Sequence, residues 1–393
     1  MLGFSEIEKV LFDWNFWEKK PPDSIPRSIL ESIELPTSDL ITAIQGVRRC
    51  GKSTLINQII EHFKLNPKDC FIVNFEDPRL VEHLDNTLLD SIVEFARNKI
   101  ANARYYYFFL DEIQNVKNWE KWLHMKVERP KNEIFIITGS NASLLSGELA
   151  TSLTGRHKAI ELFPFDYSEF KLSENDGNIT SFVTRGGFPR VLRDPNPQLL
   201  LREYFTNIIE RDVRRHVTAR STTTLFQLTQ AIFDSTGSEL SLRKLSNLMD
   251  VSVDTIHSYI HACEAAYLFF ECPYFSFSER QRLARQRKYY PVDLALKDAV
   301  SVTSKGLDRG KKLETIVFHQ LRKKFKHVNY WRGKNEVDFI VQTPNGILPI
   351  QVTWDETKER HKDALIEFKE AFPDSLQPLL INHSNIEEFL LKN

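Results

Sequence analysis

ITAIQGVRRCGKSTLINQII, residues Ile41 to Ile60, decides the fold. An apolar run leads into a loop bounded by Gly46 and Gly51, and a helical pattern follows from Lys52. The spacing is G-x-x-x-x-G-K-[ST], between an expected strand and an expected helix. Glycines let the backbone turn so that its N–H groups face phosphate oxygens. A helix that begins there brings its positive dipole end to the same place. Gly46, Arg48, Arg49, Cys50, Gly51, Lys52, Ser53 and Thr54 are therefore read as the nucleotide-binding loop. Lys52 is suited to reach the β- and γ-phosphates, and the Ser53 hydroxyl to ligate Mg²⁺. The bland alternative is a structural glycine turn with a surface lysine.

Working outward, short apolar runs alternate with helical patterns between Leu40 and Phe165: LITAIQG, CFIVNFED, YYYFFLDE, EIFIITGS and HKAIELFP. Each is rich in Ile, Val, Phe and Tyr, as buried parallel strands are. Strand–helix alternation predicts a doubly wound parallel α/β sheet. RYYYFFLDEIQ ends its apolar run at Asp111 and Glu112, where a strand meets the ligand crevice at the carboxyl edge of such a sheet. Asp111 is suited to hold the metal and Glu112 to polarise an attacking water. Two acids favoured by a helix N-terminus are the simpler reading. EIFIITGSN ends in Thr138, Ser140 and Asn141. A polar side chain there can reach the γ-phosphate or the lytic water, and Asn141 is taken as a catalytic candidate; a plain helix cap is the alternative. Arg156, just before the final strand, is a candidate arginine finger for a neighbouring copy. Arg211, Arg214 and Arg215 compete for that role. Phe12, Trp14 and Trp17 are candidate walls for the base.

The 393 residues allow two or three domains, and 41% hydrophobic with 27% charged residues is an ordinary globular balance. No apolar run is long enough for a membrane span, and the N-terminal stretch does not read as a signal peptide. Cys50, Cys70, Cys263 and Cys272 lack metal or disulfide spacing, so a reducing cytoplasm is expected. Net charge is -1, yet Glu279–Lys334 holds sixteen Lys and Arg against five Asp and Glu. Such a segment can be a footprint for DNA, or a solvated face, or an answer to acidic neighbours in an assembly. Tyr289, Tyr290, Tyr330 and Trp331 lie within it as stacking candidates or core residues.

Further along, Leu200–Arg220 reads as one amphipathic helix. The run from Ser241 reads as two short helices joined by a turn, capped by Ser252 or Asp254, with a β-like stretch behind. That is a helix-turn-helix with room for a wing. Its second helix offers only Ser252, Thr255 and His257 as base readers, which are poor ones. NEVDFIVQT and ILPIQVTW flank a Pro-Asn-Gly turn and predict a hairpin.

At GVRRCGKSTL, VNFEDPRL, FLDEIQNVKNWEKWL, ITGSNASLLSGELATSLTGRHKAIELFPFDYSEF, GGFPRVL and YWRGKNEVDFIV the sequence resembles prokaryotic AAA+-type ATPases with a C-terminal domain of uncharacterised function. The motifs run in order over nearly the whole chain. The resemblance implies an AAA-like core at 36–170 after an N-terminal helical segment at 1–35. A helical lid or linker at 171–221, a winged-helix domain at 222–304 and a restriction-endonuclease-like domain at 305–393 would follow. It implies ATP rather than GTP as ligand, with Mg²⁺, and a homo-oligomer; it leaves the load open, and DNA is expected as partner through the basic C-terminal half. It carries the phosphate-loop role onto Gly46, Gly51, Lys52, Ser53 and Thr54, the metal and water roles onto Asp111 and Glu112, and the finger role onto Arg156.

The C-terminal part departs from the nuclease pattern. Glu314 and Asp338 match the helical and strand acids, but the next strand offers Gln351 and Thr353 in place of Glu and Lys. Cleavage is therefore expected to be lost, unless Asp355 or Glu356 substitutes. The function expected is an Mg²⁺-dependent ATPase coupled to DNA engagement. The alternatives are a nucleotide-gated protein-interaction module and an ATP-regulated nuclease.

Overall fold

The computed structural model describes residues 3–101, 103–145, 155–174, 177–217, 222–301, 309–354 and 359–392. The chain divides into two units, Met1–Phe163 and Pro164–Asn393.

The first unit is built on strands β1 (Ile41–Gln45), β2 (Cys70–Asn74), β3 (Tyr106–Asp111), β4 (Glu133–Gly139) and β5 (His157–Glu161). All pair in parallel, in the order β2-β3-β4-β1-β5. β1 and β4 are buried along their whole length, so they carry no alternating polar face. Among the described residues the helices of this unit include α1 (Phe4–Trp14), α2 (Lys52–His62), α3 (Asn86–Lys99) and α4 (Trp119–Glu128). Phe71, Phe108 and Phe135, from three adjacent strands, stack with ring centroids 5.5 and 5.4 Å apart, and Trp122 of α4 meets Phe135 edge-on. This aromatic column holds one face of the sheet. The register aligns Asn74 with Asp111 and Gln45 with Gly139, so the carboxyl ends of β1 to β4 share one edge.

α1 stops at Trp14, although the apolar pattern runs on to Lys20. Asn15 ends it. Its Nδ2 donates to Leu11 O at 2.7 Å and to Ile72 O at 3.0 Å, and its Oδ1 accepts from Ile72 N at 2.7 Å. One amide side chain thus closes the helix and pairs with the edge strand. Trp14 donates to Asp77 at 2.8 Å and Trp17 to Cys70 O at 2.9 Å, while Phe12 is exposed. The two tryptophans dock the N-terminal segment on β2 and on the turn that follows it.

The second unit opens with helices and closes with a small sheet. The helix Pro197–Asn207 continues as a wider π-helical turn over Ile208–Val213 and a tight one over Arg214–His216. The expected single α-winding is thus lost where β-branched Ile208 and Ile209 enter; residues 218–220 lie outside the described residues. Helices Leu242–Met249 and Val253–Ala265 follow, joined through left-handed Asp250. Ser252 Oγ accepts from Thr255 N at 3.1 Å, so its hydroxyl serves the cap. Two antiparallel strands, β6 (Phe269–Cys272) and β7 (Lys288–Pro291), come next. Tyr289, Tyr290, Tyr330 and Trp331 are buried strand residues here, not exposed stacking rings. The last sheet has the order β11-β10-β9-β8, from β8 (Val328–Arg332), β9 (Glu336–Thr343), β10 (Gly346–Val352) and β11 (Leu379–Ile381). β9 and β10 form the hairpin expected around Pro344-Asn-Gly346. The helix Arg309–Lys324 packs against this sheet through a face that includes Leu313, Val317 and Leu321. Asp355 and Glu356 lie outside the described residues.

Candidate functional site

The loop between β1 and α2 is shaped by two backbone features. Gly51 has φ 104° and Arg49 has φ 72°, both left-handed. Gly51 meets this without strain because it lacks a Cβ. At Gly46 the cause is space: a Cβ there would stand 2.1 Å from the Leu162 carbonyl oxygen, just past the end of β5. Cys50 is buried against that same oxygen at 3.3 Å, and burial pushes its thiol pKa up, so it acts as a packing residue. The loop is therefore clamped between β1 and the exit of β5. Arg27 strengthens the clamp, with Nη1 donating to Cys50 O at 2.8 Å and Nη2 to Phe163 O at 2.6 Å.

Lys52 opens α2 yet is buried. Its Nζ donates to Gly46 O at 3.0 Å and lies 3.5 Å from Glu112 Oε1. Ser53 Oγ donates to Asp111 Oδ2 at 2.7 Å. These two contacts join the first turn of α2 to the tip of β3. Thr138 of β4 completes the bridge: its hydroxyl donates to Asp111 Oδ1 and accepts from Glu112 N at 3.1 Å. Asn74, at the tip of β2, donates to Asp111 Oδ2 at 3.1 Å. Glu112 has φ 55°, and the left-handed turn sets its side chain apart from that of Asp111 although the two are sequence neighbours. Gln114 Nε2 donates to Glu112 Oε2 at 2.5 Å. Arg48 pairs with Glu76, with Nη1 at 3.1 Å from Oε2.

The two acids are unlike in charge. Burial raises the Asp111 carboxyl, and the Glu112 charge raises it further against the hydrogen bonds from Thr138 and Ser53. Burial also opposes ionisation of Glu112, but the Lys52 ammonium outweighs it and holds the Glu112 carboxyl below its ordinary value. Glu112 is thus kept ionised beside a lysine, as a group that accepts a proton must be. Ser53 and Asp111 offer a hydroxyl and a carboxylate side by side. Both are hard oxygen donors of the kind Mg²⁺ takes, so the residues fit the metal.

The remaining expected residues divide between this edge of the sheet and other parts of the chain. Thr54 is exposed on the first turn of α2 and Arg49 is exposed on the loop. Asn141 is buried just past β4, on the same edge as Asp111, and Thr138 of that strand bonds both acids. Arg156 precedes β5 at the opposite edge: its carbonyl accepts from Ile41 N at 3.0 Å, and its Nη1 lies 3.5 Å from Val127 O. The five residues of β1 separate it from the loop, about 15 Å. It takes no part in this copy's site. Arg211, Arg214 and Arg215 belong to the second unit, where Arg214 pairs with Glu210. Asn74, Gln114, Glu76 and Arg27 were missed by sequence reading; for Asn74 the signal was available, since VNFED ends its strand as FLDE does.

Much of the basic stretch is answered by acids inside the second unit. Arg287 pairs with Glu271, Lys288 with Glu336 at 2.5 Å, Lys323 with Asp166 at 2.6 Å and Arg332 with Glu239 at 3.3 Å, all acids from outside the stretch. The local charge excess therefore does not translate into an equal excess on the surface.

Residues 38–171 match the family described as AAA domain. Residues 177–306 and 309–390 match families described as Domain of unknown function (DUF8612) and Domain of unknown function (DUF4143). Uncharacterized protein MJ1544 of Methanocaldococcus jannaschii is 30% identical over 376 residues, which cover 88% of this chain and 81% of that one. The chain belongs to the same family as MJ1544. An Uncharacterized protein of Haemophilus influenzae, 28% identical over 376 residues, covers 91% of this chain and 92% of its own length. Among solved structures, Cdc6p from Pyrobaculum aerophilum is 12% identical over 66% of this chain and 79% of that one, with a TM-score of 0.29. In this member of the MJ1544 family the AAA domain spans all five strands of the parallel sheet. Among the described residues no helix is long and apolar enough to cross a membrane.

Proposed function

We propose that this chain binds ATP with Mg²⁺ at the Gly46–Thr54 loop and hydrolyses it. The reading is carried by one observation: Ser53 meets Asp111 at 2.7 Å while Lys52 meets Glu112 at 3.5 Å. A metal-ligand pair and a base–lysine pair thus stand side by side where a strand tip faces a helix start. Mg²⁺, held by Ser53 and Asp111, would supply charge neutralisation at the phosphates. Lys52 would exchange the loop carbonyls for phosphate oxygens, and Glu112, released from it, would take a proton from water. Thr138 keeps both acids in place through its hydroxyl.

In this reading the chain acts as a homo-oligomer in the cytoplasm, with Arg156 supplying a cation to the next copy's phosphates. Its position away from its own loop agrees with a role in trans. The segments at 1–35, 36–170, 171–221, 222–304 and 305–393 serve as N-terminal segment, ATPase core, lid or linker, winged helix and restriction-endonuclease-like domain. The load is DNA. A second reading, a nucleotide-gated protein-interaction module, is favoured by the internal ion pairs of the basic stretch, which leave less charge for a phosphate backbone.

The deciding experiment measures ATP turnover with and without single- and double-stranded DNA, alongside particle mass. A DNA-coupled enzyme shows stimulated turnover and binding that falls steeply with salt. Turnover indifferent to DNA, with no salt-dependent binding, selects the protein-interaction reading. Absence of any ATP binding removes both.

A further inference from the structure

The nuclease resemblance implies a divalent metal between Glu314 and Asp338, and the residues there do not fit one. A cavity of about 460 Å³ in the second unit is lined by Lys311, Glu314, Glu336, Asp338, Gln351 and Trp354, among others. Behind it lies Lys288 of β7, a lysine with 1% of its side chain exposed. Its Nζ stands 2.5 Å from Glu336 Oε1 and 3.9 Å from Glu314 Oε1. Burial of an ammonium is unfavourable without such partners; here two carboxylates supply them, and Asp338 adds its field.

The carboxylate oxygens are engaged as well. Glu314 Oε1 accepts from the Tyr290 hydroxyl at 2.6 Å, and Oε2 from Lys311 Nζ at 2.8 Å. Lys311 is fixed in turn by Gly237 O at 2.7 Å. Asp338 Oδ2 accepts from Gln351 Nε2 at 2.5 Å and from Val352 N at 2.8 Å. A Glu at position 351 would place a second carboxylate against Asp338 and call for a metal to hold them; the Gln amide donates instead. Its Oε1, buried and without a hydrogen-bond partner among the described residues, is an oxygen that a cation could recruit. Even so, among the described residues no group of three or more His, Cys, Asp or Glu is arranged to hold a metal ion.

We infer that the Lys288 ammonium takes the cation's place in the Glu314–Glu336–Asp338 cluster, so that this pocket takes no divalent metal. The lysine comes from β7, well before the acids in sequence, and a fixed internal cation replaces an exchangeable one. The pocket is then a structural node built around the Lys288 ammonium rather than a metal site.

The test is a manganese titration of the nucleotide-free full chain, read by electron paramagnetic resonance. Wild type and Asp338→Asn should bind manganese identically, since Asp338 holds none. Lys288→Met should gain a site tighter on the order of a hundredfold, because an ammonium a few ångströms from the carboxylates no longer opposes the metal. Lys288→Met with Asp338→Asn should lose it again. A manganese bound by wild type and lost in Asp338→Asn overturns the inference, as does a folded Lys288→Met that gains nothing. If Lys288→Met fails to fold, the wild-type and Asp338→Asn pair still decides.

Discussion

Ser53 Oγ lies 2.7 Å from Asp111 Oδ2, a contact between residues 58 apart in sequence that ties the start of α2 to the tip of β3. The distance is set by the parallel sheet, which brings β1 and β3 to one edge on either side of β4. Two separated stretches of sequence become one oxygen cluster only because β4 stands between them and contributes Thr138.

Glu112→Gln keeps the shape of the side chain and removes its basicity. ATP binding should persist while turnover falls by about 100- to 10,000-fold. Equilibrium binding of a fluorescent ATP analogue beside steady-state phosphate release checks this, and wild-type turnover in the variant removes the base assignment.

Thr138→Val removes one hydroxyl that serves both acids. Asp111 loses a donor and the Glu112 N–H is left buried without its acceptor. A stability loss of roughly 1–3 kcal/mol follows from the orphaned N–H, and turnover should drop with it. If urea denaturation and turnover are both unchanged, Thr138 is not the bridge.

Gly46→Ala should damage binding through shape alone. The new methyl would stand 2.1 Å from the Leu162 carbonyl oxygen, so the loop or the exit of β5 must move. Overpacking of this kind costs about 1–3 kcal/mol. The expected result is a lower thermal midpoint together with weakened nucleotide affinity; Thr54→Ala, on the exposed side of α2, should leave the midpoint nearly unchanged.

Asp77 makes the stability of the first unit depend on pH. Hydrogen bonds from Arg79 lower its carboxyl to about 2, against an opposing burial effect and with help from the Trp14 N–H. The folded pKa lies below the ordinary carboxyl value of 3.8, so the contribution is present above that pH and is lost as pH falls toward about 2. Allowing for the exposure of Arg79, it is worth roughly 1–2 kcal/mol. Denaturation of wild type and Asp77→Asn should differ at neutral pH and converge only as pH falls to about 2; parallel curves would contradict the assignment.

The strands of the first unit were legible because each is short, apolar and ended by a polar residue. The loop was legible because its chemistry is local: glycine, lysine and hydroxyl fall within nine residues. What escaped is what depends on pairing across the chain. The end of α1 is set by Asn15 bonding Ile72, 57 residues away. Arg48 looked like a phosphate ligand, and nothing local signals Glu76 as its partner. β8 lay unseen because VNYWR sits among basic residues whose acids come from distant segments. The same blindness made Glu279–Lys334 look more cationic than the folded unit is.

Arg27 grips two carbonyls at once, one inside the loop at Cys50 and one at Phe163, where the first unit gives way to the second. The turn before α2 and the end of the first unit therefore share one guanidinium. Removing this one side chain would unfasten the loop and the last residue of the first unit together.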